Sequence, residues 1–239
     1  MLFSILSGGD FKTILASLLL SLPIIMFSLS LHETAHGFVA WKCGDNTAYN
    51  LGRLTLNPIR HLDPIGFLSM LIFGYGWAKP VPVNSRNFRN PKRGMVLTAA
   101  AGPAANLLLG IFSAVCSGFM LALYSFLFYK LESGFLLTCV YWLTLMFHLS
   151  TEVNFLFMAF NLIPIPPFDG SRIAFAFLPV NTYFKIMRYE RQIMIGLLIA
   201  LLVLNRFQLS PFSWIASQLS SLIIDPVTDL FWGMFRTLL

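Results

Sequence analysis

Residues 32–36 read His32-Glu33-Thr34-Ala35-His36. Side chains four positions apart share one face of an α-helix, so His32 and His36 can present two imidazole nitrogens to one metal ion. Zinc suits that ligand type, and a zinc that does chemistry keeps one coordination position for water. Glu33, beside the first histidine, can reach that water as a general base once the metal has brought its pKa down towards ~7. His-Glu-x-x-His on a helix is the arrangement of zinc hydrolases. The plain alternative is a chance match. It is disfavoured because the chain has only four histidines, two of them at this spacing. Ionisable groups in or at the edge of a membrane helix are also costly, and functional by default.

The composition says what must carry these residues. Of 239 residues, 57% are hydrophobic and only 11% charged, with a mean hydropathy of +0.74. A soluble domain carries roughly 25% charged residues; a chain this poor in charge needs lipid rather than water on its outer face. Five stretches approach the ~20 apolar residues needed to cross: about 11–41, 95–129, 134–160, 192–204 and, more weakly, 211–239, which is interrupted at Asp225-Pro226. The expected class is an all-α polytopic membrane protein of about five to six transmembrane helices. One integral-membrane domain is expected over residues 1–239, with a core at 11–178 and accessory helices at 190–239. The first apolar run is long and holds the histidines, so it reads as a retained span rather than a cleaved signal. Cys43, Cys116 and Cys139 are too few and scattered for a disulfide framework or a cysteine zinc site.

Between the first two spans, residues 42–94 hold the apolar run 65–77 and then Ala78-Lys-Pro-Val-Pro-Val-Asn84. Proline cannot donate to a ladder and belongs on an edge strand. The expectation is a short strand or hairpin with a free edge, offering Val81 and Val83 to an extended substrate.

Charge sets the orientation. The 42–94 segment holds Lys42, Arg53, Arg60, Lys79, Arg86, Arg89, Lys92 and Arg93, and the 170–191 loop holds Arg172, Lys185, Arg188 and Arg191. Two crossings separate these loops, so they share a side, and only Lys12, Lys130 and Arg206 are left for the other. The positive-inside rule places the basic loops in the cytoplasm. The net charge of +6 is therefore read as loop bias, with no nucleic-acid partner implied.

A zinc site needs a third protein ligand. Pro164, Pro166 and Pro167 must end the third span and leave irregular backbone at membrane depth, which is tolerated where it is buried or lines a cavity. Asp169 emerges from that break at the cytoplasmic end of its span, the depth also predicted for His32 and His36. Taken alone, Asp169 is equally well read as the N-cap of a helix starting at Gly170; the shared depth favours the ligand.

With these residues in place, the chain resembles the site-2 protease family of intramembrane zinc metalloproteases (peptidase family M50). The resemblance rests on His32–His36 with Asn161-x-x-Pro-x-Pro-x-x-Asp169-Gly170, supported by Leu54-Thr-Leu-Asn57-Pro, His61-x-Asp63-Pro, Trp77-Ala-Lys-Pro-Val-Pro-Val-Asn84 and Ala101-Gly-Pro-Ala-Ala-Asn106. It implies one Zn2+ per chain held by His32, His36 and Asp169, with Glu33 as base and Asn161 supporting the substrate or the developing oxyanion. For Asn161 the structural alternative is interhelical hydrogen bonding. The family cleaves membrane-embedded segments of other proteins, so the implied partners are a transmembrane substrate and lipid. The implied setting is a multi-pass protein of a prokaryotic inner membrane with its site toward the cytoplasm. No stretch reads as a PDZ insert or a CBS tail, so a compact form is expected. Asn106 and Gly102-Pro103 read as helix-packing residues. His148 and Glu152, four apart in the third span, read as a buried structural pair or, less favourably, a second polar site. His61 and Asp63 carry no chemical role. The competing functions are a prenyl-protein-type zinc protease, which wants a later glutamate as ligand, and a zinc-binding membrane transporter or sensor, which wants ionisable groups along a path.

Overall fold

The structure is a computed structural model and describes residues 11–73, 76–130, 134–179, 182, 185–186, 188–206, 214, 218–219, 221–222 and 225–237. In chain order its elements are α1 (Phe11–Lys42), α2 (Thr47–Asn50), α3 (Pro58–His61), α4 (Pro64–Phe73), a 3-10 turn (Ser85–Asn87), α5 (Pro91–Lys130), α6 (Phe135–Asn161), α7 (Asp169–Phe175), α8 (Glu190–Arg206) and α9 (Asp225–Arg236). The all-helical membrane class holds. Among the described residues, three helices are long and apolar enough to cross a bilayer: Leu15–Lys42 of α1, then α5 and α6.

That is fewer than the five to six spans expected. The 192–204 stretch becomes α8, of 17 residues, and the described end of the chain gives α9, of 12 residues. At 1.5 Å per residue, α9 extends only ~18 Å, well short of the ~30 Å hydrocarbon core. Much of 207–224 lies outside the described residues.

The bundle is organised around α5, which touches α1, α6, α7 and α9. Small residues make this possible: Gly102, Gly110, Ser113, Ala114, Ser117, Gly118 and Ala122 are buried along α5. Small side chains let membrane helices approach closely when no hydrophobic effect drives them together. A methyl group added at Gly118 would lie 2.5 Å from Phe231 Cβ of α9.

The expected strand is not present. Among the described residues the only trace of sheet is one isolated antiparallel bridge, Leu62 to Ala78, with Lys79 N–H donating to the His61 carbonyl at 2.8 Å. Pro80 and Pro82 account for this, because they strip the N–H from alternate positions just where a ladder would continue. Side chains hold the 79–87 segment instead. Arg53, buried, donates from Nη2 to the carbonyls of Lys79 (2.8 Å) and Pro80 (3.4 Å). Asp45, also buried, accepts from the Thr47 N–H and hydroxyl, the Asn84 N–H and the Asn87 amide. Asp63, left without a role by sequence, accepts from the Ile65 and Gly66 amides and so caps α4. His61 bonds the Thr55 carbonyl at 2.7 Å.

Asp45 thus ties the end of α1 to the turn after Val83. Burial pushes its carboxyl up, but the hydrogen bonds from Thr47, Asn84 and Asn87 outweigh burial and hold it below the usual carboxylate range. A depressed folded-state pKa means the carboxylate stabilises the fold above its unfolded pKa, near ~3.9, and that this is lost as pH falls through the folded value. Asp45→Ala is therefore expected to lower unfolding stability at pH 7 by about 1–3 kcal/mol. The gap from wild type should shrink below about pH 4, as read by thermal melts in detergent across pH.

Candidate metal centre

α1 delivers His32 and His36 one turn apart, and α7 delivers Asp169. Asp169 is the first residue of α7 but caps nothing: the cap position is Phe168, with no side-chain bond. Its carboxylate turns toward the histidines. The His32 Nε2 to Asp169 Oδ2 distance is 3.1 Å, the His36 Nε2 to Asp169 Oδ2 distance is also 3.1 Å, and the two Nε2 atoms are 3.0 Å apart. All three residues are buried. The proline break makes this reach possible. After α6 ends, the backbone folds back so tightly that a Cβ at Gly170 would lie 2.3 Å from the Leu162 carbonyl oxygen. Only glycine fits there, which explains the Asp-Gly pair.

The outer bonds of the histidines decide what the inner atoms can do. His36 Nδ1 donates to the Thr98 carbonyl at 2.7 Å, and His32 Nδ1 donates to Asn106 Oδ1. A carbonyl can only accept, so each neutral ring carries its proton on Nδ1 and points a lone pair from Nε2. Two lone pairs and a carboxylate oxygen then face one another across 3.0–3.1 Å. That cluster is repulsive unless a cation sits among its members. For a tetrahedral zinc with bonds of ~2.0–2.1 Å, ligand atoms stand ~3.3 Å apart. The donor set, its spacing and its fixed tautomers fit a zinc ion.

α5 supplies the frame. Thr98, Gly102 and Asn106 recur every four residues on the face turned to the site. A Cβ at Gly102 would lie 2.5 Å from His32 Nε2 and from His36 Nε2, so any side chain there would fill the space beside the converging nitrogens. Asn106 Nδ2 donates to Asn154 Oδ1 of α6 at 2.8 Å, and Asn154 Nδ2 donates to Ser28 Oγ of α1 at 3.0 Å and to the Ser150 carbonyl at 2.8 Å. This buried chain fixes the His32 ring. Sequence reasoning took Asn106 and Gly102 for packing residues and passed over Asn154 and Ser28. The available signal was an asparagine within a 40-residue apolar helix, four positions after a glycine.

The remaining expected residues are placed as follows. Glu33 is half-buried, and its Oε2 accepts from the Val81 N–H at 2.8 Å. Val81 is buried, whereas Val83 is exposed. Asn161 ends α6, with its amide donating back to the Phe157 carbonyl at 3.0 Å. His148 and Glu152 form their own half-exposed pair at 3.6 Å, rather than a buried pair tied to a neighbouring helix.

Peptidase family M50 is matched over residues 21–204, most of the chain. The chain belongs to peptidase family M50. It is 40% identical over 166 residues to the Bacillus subtilis protein named "Putative zinc metalloprotease YwhC", covering 70% of this chain and 72% of that one. With "Putative zinc metalloprotease Rip2" it shares 29% identity over 152 residues for the Mycolicibacterium smegmatis protein and 31% over 151 residues for that of Mycobacterium tuberculosis. Those matches cover 61% of this chain and 52% of either Rip2, so the chain spans about half the length of these relatives. No solved structure matches. Membership of M50 makes the chain a zinc metalloprotease, and its three apolar helices make it an intramembrane one.

For this M50 peptidase, Gly102→Ala is expected to purify folded but nearly free of zinc, because the added carbon occupies the ligand space. Asn106→Ala frees the His32 ring and is expected to weaken zinc affinity by roughly 10–100-fold. Metal content by elemental analysis and competition with a chelator check both.

Proposed function

We propose that this chain hydrolyses peptide bonds in or beside transmembrane segments of other membrane proteins, with His32, His36 and Asp169 holding one zinc ion and Glu33 serving as general base. The observation that carries the reading is the set of three buried electron-pair donors converging within 3.1 Å on a membrane helix, with Glu33 one residue from the first. When bound, zinc supplies Lewis acidity, lowering the pKa of a coordinated water and polarising a carbonyl. Glu33 takes the proton of the attacking water and returns it to the leaving amine nitrogen, which leaves as a neutral amine. Asn161 donates its amide to the carbonyl oxygen as negative charge grows there, a role worth about 3 kcal/mol where one donor is removed. For this it must exchange its bond to the Phe157 carbonyl for one to substrate. Residues 1–239 form a single integral-membrane protease domain in this reading, with the 11–178 core carrying the chemistry and 190–239 as accessory helices.

The substrate is helical in the bilayer, and its carbonyls are occupied until it unwinds locally. A site on the cytoplasmic side gives both water and the unwound strand a way in. The charge distribution supports that orientation, with twelve basic residues in the two loops on the site's side against Lys12 and Lys130 on the other side of the three described spans. The bacterial sources of the relatives support a prokaryotic cell membrane. Nothing specific favours a transporter: the convergent ionisable groups lie at one depth rather than along a path.

Glu33→Gln separates the possibilities. Reconstituted in liposomes with a panel of single-span membrane proteins, wild type is expected to generate cleavage fragments detectable by mass spectrometry. Glu33→Gln, with its full complement of zinc, is expected to lose at least about 10²-fold in rate, the contribution of a positioned base. Undiminished cleavage by Glu33→Gln rules out its role as base.

A further inference from the structure

The bond between Glu33 and Val81 has a construction behind it. In a stretch bracketed by Pro80 and Pro82, Val81 has the only backbone N–H, and it is given to Glu33 Oε2 at 2.8 Å. Gly37 lies four residues beyond Glu33 on the same face of α1. A Cβ at Gly37 would meet Val81 Cγ1 at 3.1 Å and Leu54 Cδ2 at 2.6 Å. The missing side chain is therefore what lets Val81 rest against α1 with its N–H in line with the carboxylate. Either side of Val81 the backbone is clamped. Arg53 Nη2 holds the Lys79 and Pro80 carbonyls, the His61 carbonyl holds the Lys79 N–H, and Asp45 holds the Asn84 N–H at 2.7 Å.

Arg53 is the unusual member. It is 8% exposed, and among the described residues no carboxylate lies within ion-pairing distance of it. Burying a guanidinium is costly unless its donors are used. Here Nη2 is used, on the two carbonyls that precede the Val81 amide, while Nε stays buried without a partner. The prolines matter a second time. In extended chain, successive N–H groups point to opposite edges, so Pro80 and Pro82 leave the edge away from Val81 without donors. The Val81 donor itself is already taken. A substrate strand pairing with this segment finds no free donor at 80, 81 or 82.

We propose that residues 79–84 are a positioning device for the general base rather than a template for substrate. Val81 N–H holds the Glu33 carboxylate, and Arg53 is the positioning residue that fixes Val81. Arg53 makes no bond to His32, His36 or Asp169; it acts through two carbonyls, one amide and then Glu33. The inference rests on Glu33 being the base, and it adds that the base works from a fixed position set by the loop after α4. A freely rotating carboxylate would be productive only part of the time, and small misplacements of reacting groups are expensive in rate.

The test uses full-length protein with bound zinc. Arg53→Met removes the donors but keeps an apolar stem, Arg53→Lys restores one donor, and Val81→Pro deletes the N–H. Arg53→Met and Val81→Pro are expected to lower kcat by roughly 10–100-fold, with zinc content intact and KM changed by less than about threefold. Arg53→Lys is expected to recover part of the loss. A docking role predicts the opposite division, KM rising with kcat kept. Amide hydrogen exchange gives a readout independent of cleavage: exchange at Val81, slow in wild type, is expected to accelerate in Glu33→Ala and in Arg53→Met. Unchanged exchange in both, or kcat retained in Arg53→Met, overturns the proposal, and so does a loss confined to KM. Where Val81→Pro fails to fold, the Arg53 pair and the exchange measurement decide alone. Glu33→Gln run alongside keeps the two readings apart. If it remains active, the base assignment itself falls; if it is inactive while Arg53→Met is not, only the positioning role falls.

Discussion

Three atoms that repel one another govern the design of this protein. His32 Nε2, His36 Nε2 and an Asp169 carboxylate oxygen face each other at 3.0–3.1 Å, and their outer hydrogen bonds leave lone pairs turned inward. In water such a cluster would drift apart or protonate. Here it is locked by two helices and a folded-back turn, in surroundings where charge is poorly solvated. A cation resolves the repulsion, and the same confinement that makes the cluster unfavourable when empty makes it favourable when filled. The rest of the fold can be understood as what it takes to keep those atoms in place.

Part of this was legible in the chain. The His-Glu-x-x-His spacing is local, one helical turn, so periodicity alone places both histidines on a face. Asp169 was legible because prolines at 164, 166 and 167 forbid helix and locate the break. What escaped was the frame contributed by α5. Asn106 and Gly102 act across helix contacts that sequence periodicity does not encode: an asparagine bonded to a site histidine and one bonding two helices look alike in one dimension. Asp63 resolves more simply, since it caps the helix that starts at Pro64, a role its position before Pro-Ile-Gly-Phe already allowed.

The strand was misread for a specific reason. Valines alternating with prolines have the period of a strand but half its donors. The valines suggested pairing, yet the missing N–H groups prevent a ladder and leave one amide, that of Val81, which goes to a side chain instead. The span count differs on another scale: among the described residues three helices are long and apolar enough to cross, α8 has 17 residues and α9 has 12, and α9 packs Phe231 beside Gly118 of α5.

One network connects packing to chemistry. From Ser28 on α1 through Asn154 on α6 to Asn106 on α5 and then His32, each hydrogen bond passes between different helices. Within a bilayer no water competes for these groups, so an amide that loses its partner stays unsatisfied. The helices therefore cannot slide or rotate independently without breaking the chain, and its end is the tautomer of His32 in the candidate metal site. Glycines and serines along α5 bring the backbones close enough for short asparagine side chains to span the gap. Larger residues there would separate the helices, break the asparagine link and free the His32 ring. Helix packing and ligand orientation are thus set by one set of residues, and a change that loosens the first must also loosen the second.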